Sequence, residues 1–385
     1  MKKGLTLLLL VLTLILAACT NQQPSSQEEE PEETSEETAA EETAEAAEET
    51  SPEQTSQGSD AEIPAAVDQP LKIAAIMEFS TGTFASQYVS GLEAQVKKFG
   101  GEVQIYNANN DLSQMANHLQ TAINQGVDGI LIDHGRAEAL NQGVEEALEK
   151  GIPVVTFDND ITADGVTAIS QDDYSLAWGT LKQLAQDIDG EGNIVYVWAG
   201  GFTPLERRNV IYEAFLEHYP NIEEVARFGS VSNNTALDSQ NQMEAVLKKY
   251  PEEGSIDAVF APYDEFAKGV TRAIQQAGRD EIKVYGIDLS DEDLQIMQAE
   301  NSPWVTTAAT DPAEVAGVQV RFLYQKIAGE ETPSIYALDP SVVNVSDLPD
   351  EPVTMADVGQ HIEGWGSPNA ARSPWMDALE AKNAQ

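Results

Sequence analysis

The chain has 385 residues, enough for two domains, and sets 21 Lys and Arg against 65 Asp and Glu, a formal net charge of −44. A polyanion of this kind lacks the basic footprint that nucleic acid requires, and its scattered cations form no basic membrane patch. Its one cysteine, Cys19, excludes an internal disulfide, a CxxC redox pair and a thiolate zinc site, and His118, His134, His218 and His361 show no metal-ligand spacing.

The chain starts with Lys2 and Lys3, an apolar run from Leu5 to Leu16, and the small residues Ala17 and Ala18. This is the order of a secretory signal peptide, and the run is shorter than the roughly 20 residues of a membrane span. Leu16-Ala17-Ala18-Cys19 resembles the lipobox of bacterial lipoproteins. The resemblance implies a signal peptide over 1–18, cleavage before Cys19 and lipidation there. It further implies an extracytoplasmic protein anchored to the cell membrane.

From Thr20 to Glu62 the sequence holds 14 Glu and Asp60, with no Lys or Arg and no apolar side chain larger than Ala. Such a segment cannot bury enough surface to offset its ordering entropy, so 19–63 is expected to be a disordered, self-repelling acidic linker. The remainder, 63–385, keeps 19 basic against 50 acidic residues and is acidic in its own right. That surface suits a salty or alkaline exterior.

Beyond Leu71, short apolar runs alternate with helical patterns. Strands are expected at Lys72–Met77, Glu102–Ala108, Gly129–Asp133 and Pro153–Asp158. Helices are expected at Tyr88–Phe99, Met115–Gln125 and Leu140–Lys150, with Gly100, Gly126 and Gly151 as C-terminal stops. After a polar break at Gln171–Asp173 the rhythm restarts. Strands follow at Asn193–Trp198, Val225–Gly229, Ala258–Asp264 and Lys283–Asp288, and helices at Arg207–His218, Ser239–Tyr250, Phe266–Gln276 and Asp291–Ala299. This is an α/β chain of two similar halves, each a parallel sheet covered by helices on both faces.

Four of these strands run apolar and stop on a carboxylate: Asp133, Asp158, Asp264 and Asp288. Ligands sit beyond the carboxyl ends of strands in open parallel sheets, which would turn these groups into one cleft. Their alternative use is to cap the following helices. Phe79, Phe84, Phe202 and Tyr263 are candidate aromatics beside them, with Trp198 and Trp304 as further ones. Carboxylates for hydroxyls and aromatic faces for C–H patches suit a neutral polyhydroxy ligand.

Residues 71 to about 345 resemble a type I periplasmic sugar-binding protein of the ribose-binding group that serves ABC importers. The carriers are Ile152–Asp158 (IPVVTFD), Ala258–Glu265 (AVFAPYDE) with Gly269 and Ala273, Val284–Asp288 (VYGID), and the turn at Gly329-Glu330. The resemblance implies two Rossmann-like lobes joined by a three-segment hinge, with crossings near Ser170–Gln171, Ala309–Thr310 and Asp339–Pro340. Lobe I would comprise 64–170 with 310–339 and lobe II 171–309 with 340–345, leaving 346–385 as a C-terminal extension beyond the family's usual end. Trp365 and Trp375 are costly to expose, so the extension is expected to pack on a lobe, with contact to a partner as the alternative.

Carried over by position, the resemblance implies ligand contacts from Phe79, Phe84, Asp158, Asn159, Arg208, Asn234, Tyr263, Asp264, Asp288 and Thr310. Gly82, Ala85, Asn159, Tyr263 and Thr310 replace residue types common there, which argues against ribose itself and for another sugar or polyol. The implied partners are that ligand, a membrane permease and a separate ATPase, for a monomer that binds no nucleic acid. No cofactor, metal or catalytic residue is expected, since the chain carries no P-loop, GxGxxG or GxSxG motif. A receptor-linked sensor, a binder of a cationic amine and a glycoside hydrolase remain as other readings of the same residues.

Overall fold

The structure, a computed structural model, describes residues 61–366 and 368–384. The expected signal peptide, Cys19 and all but the last residues of the acidic linker lie outside the described residues. Six strands form each of two sheets. The first lobe carries β1 (Lys72–Met77), β2 (Glu102–Asn107), β3 (Gly129–Asp133), β4 (Val154–Phe157) and β5 (Thr167–Gln171), linked through α1 (Gly82–Lys98), α2 (Leu112–Gln125) and α3 (Ala137–Glu149). The second carries β6 (Glu191–Val197), β7 (Asn221–Phe228), β8 (Ala258–Ala261), β9 (Lys283–Ile287) and β10 (Trp304–Ala309). Its helices are α4 (Asp173–Asp187), α5 (Thr203–His218), α6 (Thr235–Lys249), α7 (Asp264–Ala277) and α8 (Asp291–Met297). Then α9 (Pro312–Ile327) returns to the first lobe, β11 (Ile335–Leu338) pairs with β5, and β12 (Ser341–Asn344) pairs antiparallel with β10.

The strand orders are β11-β5-β4-β3-β1-β2 and β12-β10-β9-β8-β6-β7. Alternation along each strand decides which helix layer it meets. In β1, Ile73, Ala75 and Met77 pack with Tyr88 and Leu92 of α1 and Val315 of α9, while Ala74 and Ile76 pack with Leu119 of α2 and Val144 of α3. In β6, Val195 and Val197 face α6 and α7 through Met243 and Val270, while Ile194 and Tyr196 face α4 and α5 through Leu181 and Phe215. Both faces being covered, β3 and β4 are buried along their whole length, which is why they read as continuous apolar runs. Asp111 shows how the helices start: its carboxylate accepts from Ser113 N at 2.9 Å and Gln114 N at 3.1 Å and caps α2.

Two expectations are corrected here. The polar break at Gln171–Asp173 is the end of β5 followed at once by α4, whose cap Asp172 accepts from Ser175 N at 3.1 Å. The strand expected to reach Asp264 ends at Ala261, and Asp264 opens α7. Pro262, without an N–H, cannot continue the ladder.

The chain passes between lobes after β5, after β10 and after β11. A fourth passage lies in the tail. Val353, Met355, Val358 and Ile362 join the core of the second lobe, and Gln298 Nε2 donates to the carbonyls of Pro349 (2.9 Å) and Glu351 (3.0 Å). Trp375, Met376 and Leu379 then join the core of the first lobe, where Arg321 Nη1 donates to the Pro368 carbonyl at 3.1 Å. The extension thus packs on both lobes, with Gly364 and Gly366 (both φ 78°) turning the chain between them.

Candidate ligand-binding site

The carboxyl ends of both sheets face one another across a cavity. From the first lobe it is lined by Phe79, Thr81, Phe84, Ala85, His134 and Asp158. Gln171 lies at the passage between lobes, and Phe202, Pro204, Leu205, Arg208, Val231, Tyr263, Asp264 and Asp288 come from the second lobe. His134, Asp158 and Asp288 adopt positive φ (57°, 49° and 76°) just beyond β3, β4 and β9, a conformation that non-glycine residues rarely hold. The turns aim side chains at the cleft instead of along the sheet.

Arg208 is the hub of the polar part. It is 2% exposed; Nε donates to Asp173 Oδ1 at 2.8 Å and Nη1 to the Pro262 carbonyl at 2.8 Å. Its two Nη atoms reach the Asp288 oxygens at 3.3 and 3.4 Å. Gln171 Nε2 also donates to Asp288 Oδ1 (3.1 Å), and Thr310 Oγ1 donates to Gln171 Oε1 (2.6 Å). Burial pushes the Asp288 carboxyl up, against the pull of Arg208. Burial and then Asp173 push Asp158 well above the usual carboxyl range, against His134, Arg208 and Arg207. Asp158 Oδ1 is buried and takes no hydrogen bond among the described residues. A carboxyl that keeps its proton to higher pH can donate to a ligand hydroxyl as well as accept from one. Burial pushes His134 down, but Asp133 at 2.8 Å, Asp158 and Glu78 outweigh it and raise the imidazole to about 9.

The lobes also touch directly around this cavity. Thr83 Oγ1 donates to Glu292 Oε2 at 2.9 Å, Gln87 Nε2 to Asp291 Oδ2 at 2.6 Å, and Arg207 Nη2 to the Asn159 carbonyl at 3.3 Å. The Phe79 and Phe202 rings meet edge to face at 6.5 Å. Asp264 forms an ion pair with buried Lys268 at 3.0 Å, so it serves the base of α7 as well as the cavity wall.

Of the residues expected at the site, Phe79, Phe84, Asp158, Arg208, Tyr263, Asp264 and Asp288 line the cavity. Asn159 does not. Its Nδ2 donates to the His134 and Phe157 carbonyls and its Oδ1 accepts from Ile161 N, so it holds the turn after β4. Asn234 is exposed before α6, and Thr310 acts through Gln171. Trp304 is fully buried with Nε1 on the Thr306 carbonyl (3.1 Å), and Trp198 packs on the core of the second lobe. His134 and Gln171 were not expected; each sits directly at a strand end, the same signal that marked the aspartates. For Leu205, Pro204 and Val231 no polar motif pointed to the cleft. Among the described residues, no group of three or more His, Cys, Asp or Glu is placed to hold a metal ion.

The fold has known counterparts. The chain is 27% identical over 237 residues to a xylitol-binding protein of Mycolicibacterium smegmatis, an alignment spanning 61% of this chain and 66% of that one. It is 28% identical to a ribose import binding protein of Bacillus subtilis, over 58% of this chain and 74% of the relative. Among solved structures, a sugar ABC transporter protein from Yersinia enterocolitica superposes with a TM-score of 0.81 at 37% identity, over 84% of this chain and 99% of that one. A 5-methylthioribose transporter solute-binding protein from Thermotoga lettingae, in complex with 5-methylthioribose, superposes with a TM-score of 0.78 at 37% identity, over 81% and 99%. With residues 73–331 matched by the profile of the periplasmic binding protein domain, the two-lobed chain belongs to that family.

Proposed function

We propose that this protein is the solute-binding component of an ABC importer for a sugar or polyol. Ligand is held between the lobes, and the closed form is delivered to a membrane permease driven by a separate ATPase. The observation that carries the reading is one cavity lined by buried Asp158 from the first lobe, its Oδ1 without a hydrogen bond among the described residues, and by the buried Arg208–Asp288 pair from the second. The passages after β5, β10 and β11 serve as the hinge. The names of the relatives, ribose, xylitol and 5-methylthioribose binders or transporters among them, support the ligand class. The Leu16–Cys19 lipobox adds an N-terminal lipid anchor and an extracytoplasmic location for a monomer.

Calorimetric titration against a panel of sugars and polyols tests this. Asp158→Ala and Asp288→Ala should each weaken the ligand identified by about 5- to 150-fold, the cost of about 1–3 kcal/mol for leaving a buried polar group without its partner. Full affinity in both variants, or no ligand in the panel, refutes the reading of the site. Mass spectrometry of the mature protein should find lipid on Cys19; an unlipidated N-terminus elsewhere refutes the anchor.

A further inference from the structure

Strand order sorts the cavity lining by chemistry. In the first lobe, moving away from the passage between lobes, the sites are Gln171 on β5, Asp158 after β4, His134 after β3, and then Phe79 and Phe84 after β1. In the second lobe they are Asp288 after β9, Tyr263 and Asp264 after β8, Phe202, Pro204 and Leu205 after β6, and Val231 after β7. Arg208, though it follows β6, reaches back to Asp288 and the Pro262 carbonyl. Polar groups therefore gather on the hinge side of both sheets and apolar groups on the far side, where Phe79 meets Phe202. The one hydroxyl in the far lining is that of Thr81, an exposed residue at the rim. A ligand hydroxyl set among Phe202, Leu205 and Val231 would lose water and gain no partner.

We infer that the ligand is a sugar or polyol bearing an apolar substituent at one end, its hydroxyls on Asp158, Gln171, Arg208 and Asp288 and its substituent against Phe79, Phe202, Leu205 and Val231. This rests on the sugar-binding reading above and specifies which part of the ligand each side of the cleft takes. Discrimination comes from both sides: burial favours the apolar group, and the unpaired hydroxyl disfavours the plain sugar.

Two probes that differ only at carbon 5 test it: D-ribose, with a hydroxyl, and 5-methylthioribose, with a methylthio group. Calorimetric titration of the full chain should find 5-methylthioribose at least tenfold tighter. Val231→Thr keeps the shape and adds a hydroxyl at the far end. It should narrow that ratio at least threefold, by weakening 5-methylthioribose against a polar wall and by offering the ribose hydroxyl a partner. Equal or tighter binding of ribose overturns the inference and leaves the sugar-binding reading standing, as does binding of other unsubstituted sugars alone. An unchanged ratio in Val231→Thr overturns the placement of the substituent. Failure of every sugar and polyol tried, both probes included, overturns the parent reading with it.

Discussion

Replacing Arg208 by Met removes the guanidinium that holds the cleft's polar side together. Asp173 would keep Arg207 at 3.2 Å, so Asp288 is the carboxylate left exposed to the loss, with only Gln171 as a side-chain donor. Breaking a buried ion pair by deleting one partner costs about 3–5 kcal/mol, because the other charge stays buried and unpaired. The retained Arg207 pair places the expected loss near the lower end, about 3 kcal/mol. Asp288→Asn on the same background removes the orphaned charge and should recover part of that loss, giving a favourable coupling in the double-mutant cycle. Urea unfolding of the wild type, both single variants and the double variant supplies the numbers. A loss below about 1 kcal/mol in Arg208→Met, or a double variant no more stable than Arg208→Met, would show that the Arg208–Asp288 contact is not a stabilising pair.

His134 sets a pH dependence. Its folded pKa of about 9 stands above the ordinary 6.5, so its contribution is fully present below pH 6.5 and is lost as pH rises through 9. The expected loss is about 3 kcal/mol; His134→Gln should remove it from a comparison of unfolding at pH 6.5 and 9.5, and an equal slope in wild type and variant would count against it. Gly82 has φ +87°, and a Cβ there would stand 2.8 Å from Glu265 Oε1 of the opposite lobe. Gly82→Ala should therefore disfavour the closed arrangement, reducing ligand affinity about tenfold (about 1.4 kcal/mol) and raising the radius of gyration of the liganded protein. Unchanged scattering and affinity would show that the lobes tolerate the added methyl.

The elements that could be read early were those whose pattern needs no partner. β1 and β3 carry their apolar runs in one stretch and fall on the expected residues, Lys72–Met77 and Gly129–Asp133. α4 escaped because its acidic start, Asp172-Asp173, reads as a loop until Asp172 is seen to cap it and Asp173 to pair with Arg208. β11 and β12 are four residues each and owe their existence to pairing with β5 and β10, contacts remote in sequence. At the site, the aspartates stood out because a charge closing an apolar run is conspicuous. Leu205 and Val231 look like any core residue, and Asn159 looks like a ligand contact. Only the hydrogen bonds of Asn159 to its own turn and the strand order around Leu205 and Val231 distinguish the two cases.

The C-terminal tail acts as a leash of fixed length. Trp365 packs on the core of the second lobe and Pro368 is held by Arg321 of the first, so three residues of rise separate two anchors on the bodies that the proposed opening would part. Fully extended, that stretch covers about 10 Å. Parting further here would strip one end of the tail from its core. The proposed opening would therefore be a lopsided swing, its amplitude set by the number of residues between Trp365 and Pro368.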